Sequence, residues 1–394
     1  MKPFIVMELL ARAQALEAVG HSVVHMEVGE PDLPPPEVCR KAAIDAVREN
    51  RNRYSHSFGL PGLREAISGY YRDVHGVEVP ASRIVATTGT SGAFLLVLAA
   101  MFRRGDRVAV TDPGYPCYPN FFEVMGLETV RVPVDPEDGF RPRLDRLDRA
   151  LADGPIAAMI LTSPSNPTGA MLSRDAYRAV LDRIPLVISD EIYQGIVVAD
   201  GVEEFTAAEL GPRVVVIDGF SKKWSMTGGR LGWAVVPESS LDAMAMLTQN
   251  LFICPPTMTQ HAGVAALSPQ GIEAVRARRP VYRQRVDSVV AAVEALGLRV
   301  PCRPQGAFYL YVDVGSVTDD SYAFCFDLLE RAHVAVTPGA DFGEHRAVRH
   351  VRLSLANSLP NLLEGVRRIG AYLADGRRQA PRIPLPGPGL SPAE

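Results

Sequence analysis

The sequence predicts an α/β protein: a large domain on a mostly parallel sheet covered by helices on both faces, with a smaller α+β domain beside it. Three observations lead there. First, six short apolar runs recur in the middle of the chain: "RIVATTG" (83–89), "RVAVTDP" (107–113), "AAMILTSP" (157–164), "LVISDE" (186–191), "RVVVIDG" (213–219) and "GWAVVP" (232–237). They alternate with stretches of helical spacing, and strands apolar on both sides are those buried between two helical layers. Second, after about residue 275 the pattern changes to one long helix, "AVRARRPVYRQRVDSVVAAVEALG" (274–297). "GAFYLYVDVG", "VAVTPGADFG" and "VRHVRLSLA" follow and alternate like a half-exposed sheet. Third, 394 residues exceed what one core usually spans, so two domains are expected.

The first stretch, "MKPFIVMELLARAQALEAVG", is interrupted by Glu8 and then repeats apolar positions at helical spacing, so it reads as an amphipathic helix and not a signal peptide. The expected division is a large domain over 41–275 and a discontinuous small domain over 1–40 and 276–375. The tail, 376–394, is proline-rich and without periodicity, and disorder is expected there. No internal repeat is present.

Composition narrows the partners. The formal net charge is −4 with 22% charged residues, so no sign-dominated surface points to nucleic acid or to an anionic membrane. No run of 18 apolar residues exists, which excludes a helical membrane span. Five cysteines, widely spaced and without a C-x-x-C pair, give no zinc or redox pattern and fit a reducing cytoplasm. A small-molecule partner remains.

Five of the apolar runs end in small or polar clusters: "GTSG" (89–92), "DPGY" (112–115), "SPSNPTG" (163–169), "SDEIY" (189–193) and "GFSKK" (219–223). Ligands of open α/β sheets bind outside the carboxyl ends of the strands, so these clusters are expected to line one cleft. A lysine delivered there can condense with an aldehyde to form a Schiff base and, once released, shuttle protons. The turn of small residues before the apolar helix of "TTGTSGAFLLVLAAMF" can present Thr90, Ser91 and Gly92 to an anion at the positive helix end. In "VRHVRLSLA", Val351, Leu353 and Leu355 face one way and His350, Arg352 and Ser354 the other. Each motif has a plainer reading: a solvated Lys-Lys corner, an Asp that caps a helix, an Asn-Pro turn, an ordinary sheet arginine.

Their joint order decides. "GFSKKWSMTGGRLG" (219–232) resembles the lysine-attachment signature of the class I aminotransferases, pyridoxal phosphate enzymes of fold type I. The resemblance runs from "VGEPD" (28–32) to "VRLSLA" and implies a transaminase acting on an amino acid and a 2-keto acid, with pyridoxal 5'-phosphate as cofactor. It implies Lys222 as the attachment lysine, eight residues before the phosphate-binding Arg230, with Ser221 beside it and Lys223 merely adjacent. It implies Asp190 against the pyridinium nitrogen, Tyr193 and Asn166 on the ring oxygen, Tyr115 stacked on the ring, and Thr90, Ser91 and Gly92 at the phosphate. Arg352 becomes the clamp for the substrate carboxylate, with Asn166 and Gly29 close to the substrate. Tyr54 reaches the phosphate of a partner subunit, which implies a homodimer with shared sites. A lyase or carbon-bond-forming enzyme on the same scaffold is the alternative. A DNA-binding regulator is disfavoured, because residues 1–28 are too short for a winged helix.

Overall fold

The computed structural model describes residues 3–376. The tail expected to be disordered lies, beyond Gly376, outside the described residues. The strands are, in chain order, β1 (Val24–His25), β2 (Ile84–Thr87), β3 (Arg107–Asp112), β4 (Glu128–Pro133), β5 (Ala158–Thr162), β6 (Val187–Asp190), β7 (Val214–Gly219), β8 (Gly232–Val235), β9 (Tyr309–Asp313), β10 (Val334–Ala335), β11 (Thr337–Pro338) and β12 (His350–Ser354).

Seven of them form the large sheet in the order β2-β8-β7-β6-β5-β3-β4. Every neighbouring pair is parallel except those of β8, which runs antiparallel to β2 and β7. The six apolar runs all became strands of this sheet. Val214 and Val216 enter one core cluster and Val215 and Ile217 the other, so β7 is covered on both faces as its unbroken apolar run requires. The seventh strand, β4, escaped the sequence reading: it lies at the sheet edge, and exposed Glu128 and half-buried Thr129 and Arg131 interrupt its apolar pattern.

The smaller domain holds the antiparallel sheet β11-β12-β9. The helices Ile5–Ala18, Arg279–Ala295, Ser321–Ala332 and Leu359–Gly376 share its core cluster, which contains Leu9, Ala13, Val286, Leu328, Val351, Leu353 and Leu362. The amino-terminal stretch is the amphipathic helix expected, burying Val6, Leu9, Ala13 and Leu16. Two expectations need correction. The long helix at 274–297 is broken into Pro269–Arg276 and Arg279–Ala295, because Pro280 has no N–H to give and sits in the first turn of a helix, not inside one. The sheet is not half-exposed: all of β12 is buried, and the polar side carrying Arg352 is covered by Tyr309 and Phe342. No helix among the described residues is long and apolar enough to cross a membrane.

Candidate active site

β2, β5, β6 and β7 run the same way, so their carboxyl ends open onto one edge of the sheet, where a cleft of ≈ 290 Å³ lies between the two domains' strands. That is at the lower end of the range of about 300–1,000 Å³ for small-molecule sites. Of the predicted site residues, Gly29, Thr90, Tyr115, Asn166, Asp190, Tyr193, Lys222 and Arg352 line it. Ser91, Gly92, Ser221, Arg230 and Tyr54 are not among its lining residues.

The turn after β7 sends the two lysines to different places. Lys222 points into the cleft, where its Nζ donates to Gly29 O at 2.7 Å. Burial, then repulsion from Arg352 and Arg230, push its pKa down to about 8 against the pull of Glu30 and Asp190. Lys223 goes into the core. Its Nζ lies 2.6 Å from Asp218 Oδ2, donates to Tyr70 Oη at 3.2 Å, and sits 4.8 Å from the Trp224 ring centroid. Burial works against its charge, but Asp218 more than offsets that and holds the ammonium above its usual range. Lys223 is therefore a structural cation, while Lys222 stands in the cleft without a carboxylate partner.

Asp190 ends β6 and is buried. Its Oδ2 accepts from Tyr118 Oη at 2.5 Å and its Oδ1 from Ile192 N at 3.1 Å, so it also closes the following turn. Burial pushes its carboxyl up to about 6, while the Tyr118 bond draws it down. Tyr118, which the sequence reading missed, also bonds Thr162 Oγ1 at 2.8 Å, and its ring meets that of Tyr115 edge-on, 5.2 Å between centroids. The signal available was a second tyrosine three residues after the first, on a helix start. Tyr309 was missed too. Its hydroxyl is 2.7 Å from that of Tyr193, and a Cβ at Gly29 would lie 2.1 Å from it.

At the other side of the cleft β2 runs into the helix Gly89–Met101. Its N-cap, Thr88, makes no side-chain cap bond, so no capping side chain claims the first-turn N–H groups, including those of Thr90 and Ser91. Exposed Arg230 holds φ +45° and places its guanidinium over Gly89, where a Cβ would stand 2.5 Å from Nη2. An uncapped helix start beneath an arginine fork has the donors and the charge to hold an anion. Gly92 is buried in the same turn at the fourth helical position, whose N–H the helix itself pairs, and Ser221 is buried at the start of the lysine turn.

Arg352 stands in mid-β12, buried, with Cζ 4.5 Å from the Tyr309 ring centroid. Its Nη1 donates to Asn166 Oδ1 at 3.0 Å, and its Nη2 to Thr337 Oγ1 at 3.2 Å and to Glu27 O. Its Nε is buried without a partner. Such a donor is costly to leave unmade and points to an anionic ligand.

The family pattern of "Aminotransferase class I and II" matches residues 21–369. The chain belongs to this family. A valine–pyruvate aminotransferase of Mycobacterium tuberculosis is 36% identical over 375 residues, covering 94% of this chain and 96% of that one. An aspartate/prephenate aminotransferase of Thermus thermophilus is 34% identical, covering 95% and 97%. Among solved structures, an aminotransferase from Mycobacterium tuberculosis superposes with a TM-score of 0.91 at 36% identity, covering 95% of this chain and 97% of that chain. The Thermus thermophilus aspartate aminotransferase with maleate gives 0.88 at 33% identity, covering 94% and 97%. The fold is thus that of the fold type I aminotransferases, and the protein is a pyridoxal phosphate-dependent transaminase. The site fits this cofactor. The aminotransferase offers it a lysine amine free of any carboxylate, a buried carboxylate and an uncapped helix start under Arg230.

Proposed function

We propose that Lys222 is the attachment lysine and proton carrier of an aminotransferase that moves an amino group between an L-amino acid and a 2-keto acid in ping-pong fashion. One observation carries this: from the two domains, a lysine amine and a guanidinium with an unpaired donor face the same cleft, neither held by a carboxylate. Bound pyridoxal phosphate supplies an electron sink through its protonated ring.

Asp190 is the buried carboxylate that would keep that ring nitrogen protonated. Tyr193 and Asn166 would bond the ring oxygen, and Tyr115 would stack on the ring. Thr90, Ser91, Gly92 and Ser221 would surround the phosphate, with Arg230 as its cation. Arg352, with Asn166 beside it and Gly29 giving close approach, would take the substrate α-carboxylate. Lys222 Nζ, already biased toward the neutral amine, would accept the proton from the substrate Cα and deliver it to the C4′ carbon on the other side of the transferred nitrogen.

A homodimer completes the reading. Tyr54 is 81% exposed and does not line its own chain's cleft. It adjoins Ser55, whose N donates to Cys254 Sγ at 3.4 Å and whose Oγ accepts from Gln260 Nε2 at 3.0 Å. Leu251, Ile253 and Met258, in and beside that segment, are exposed apolar residues. This surface supports a two-fold contact through which Tyr54 reaches the partner's phosphate. The division into 41–275 and 1–40 with 276–375 is supported in the main by the core clusters, although Cys39 on the helix Glu37–Arg48 sides with the large domain and Ile192, Tyr193, Ile196 and Val198 side with the small one. Five unpaired cysteines support a cytoplasmic location.

Borohydride reduction of the loaded enzyme followed by peptide mass analysis tests the central assignment. The added cofactor mass is expected on Lys222, and finding it on Lys223 would overturn the reading.

A further inference from the structure

Part of the cleft wall belongs to neither sheet. Phe4, Val6 and Met7 line it, and they form the start of the helix Ile5–Ala18. The rest of that helix is anchored in the small-domain core through Leu9, Ala13 and Leu16. Its N-cap, Phe4, provides no side-chain bond. The turn is instead held from outside: Ile5 N donates to Asp341 Oδ1 at 2.9 Å. Asp341 is buried and closes the short helical turn Gly339–Asp341 that follows β11, and Thr337 of β11 bonds Arg352. The same strand therefore fixes the guanidinium and the apolar wall relative to each other.

The charges in the cleft are few. Among the described residues lining it, the cations are Lys222 and Arg352 and the acids are Glu30 and Asp190. With Arg352 engaged by an α-carboxylate and Lys222 by the chemistry, the chain's own lining leaves no cation for a second carboxylate. Glu30 would repel one, and Phe4, Val6 and Val28 would strip its water without replacing it.

We propose that the first turn of the amino-terminal helix, Phe4 to Met7, is the side-chain wall of the substrate site and selects amino acids with uncharged, apolar side chains over those with a distal carboxylate. The inference rests on the reading of Arg352 as the α-carboxylate clamp.

The test is calorimetric binding of unreactive carboxylates to the pyridoxal phosphate-loaded enzyme: 4-methylpentanoate, the leucine skeleton without its amine, against succinate and glutarate. Wild-type enzyme is expected to bind 4-methylpentanoate at least about tenfold more tightly than either diacid. Met7 is 52% exposed, so Met7→Arg adds a cation to the wall without loading the core, and the preference is expected to narrow by about tenfold. Arg352→Gln is expected to weaken all three ligands alike. Succinate or glutarate binding as tightly as 4-methylpentanoate, with both lost in Arg352→Gln, would overturn the wall alone. An unchanged preference in Met7→Arg would overturn its assignment to Phe4–Met7. Affinities untouched by Arg352→Gln would remove the clamp reading and the proposal with it.

Discussion

Asp190→Asn should stabilise the cofactor-free protein at neutral pH while impairing the enzyme. Burial raises the Asp190 carboxyl from 3.8 to about 6. At about 1.4 kcal/mol per pH unit, that rise corresponds to about 3 kcal/mol set against folding once the group is ionised. The sign follows from proton binding. The folded chain holds this proton more tightly than the unfolded chain does, so stability falls as pH climbs from about 4 to about 6 and then levels. Asparagine is neutral throughout and escapes the loss. It does offer one acceptor where the carboxylate offers two, and both Tyr118 Oη and Ile192 N use them. Losing one such bond costs about 1 kcal/mol. The net expectation is a gain of about 1–2 kcal/mol above pH 6, shrinking and then reversing toward pH 4. Urea unfolding of both cofactor-free proteins at pH 5 and pH 8 measures this directly. The reasoning fails if the variant is less stable than wild type at pH 8, or if the difference is the same at both pH values. With its carboxylate gone, the variant should also bind pyridoxal phosphate more weakly.

Two further substitutions separate structure from chemistry. Lys223→Met leaves Asp218 buried and unpaired and should cost about 3–5 kcal/mol in urea unfolding, with much of it restored by adding Asp218→Asn; a neutral single variant would refute the structural role. Gly29→Ala brings a Cβ to 2.1 Å from Tyr309 Oη, displacing the ring on which Arg352 lies and the hydroxyl that meets Tyr193. It should raise KM for the amino donor by about tenfold or more, in line with losing a positioned contact of about 1.4 kcal/mol, and an unchanged KM would sink the argument.

What the sequence made legible depended on whether the deciding contact was local. The six buried strands declared themselves because burial on both faces leaves an unbroken apolar run; β4 did not, because an edge strand is half polar. The lysine pair could be read as a pair but not divided by composition. Only its spacing to Arg230 favoured Lys222; what the spacing did not show is that Lys223 is paired with a buried aspartate, Asp218. Tyr118 meets Asp190 across 72 residues and Tyr309 meets Tyr193 across 116, so neither partnership leaves a trace in local pattern. The covered polar face of β12 was misread for the same cause: Tyr309 and Phe342, which roof Arg352, lie on separate segments.

Two buried arginines show how the fold distinguishes a bond it keeps from one it leaves open. Arg285 is closed by a bidentate pair with Asp32, both contacts at 2.7 Å, and by Leu355 O. Asp32 ends the "VGEPD" stretch, so this pair anchors the segment that carries Gly29. Arg352 meets only neutral acceptors and keeps an unpaired Nε. The acid whose backbone it touches, Glu27, turns its carboxylate to His25 Nδ1 at 2.7 Å instead. A guanidinium buried without a carboxylate is unfavourable for folding unless something else supplies the charge. Lys223 and Lys222 divide in the same way, one closed by Asp218 and the other resting on a backbone oxygen. In each case the structural member is neutralised by a carboxylate of the chain itself, and the member facing the cleft has none, which is the division the proposed clamp and attachment roles require.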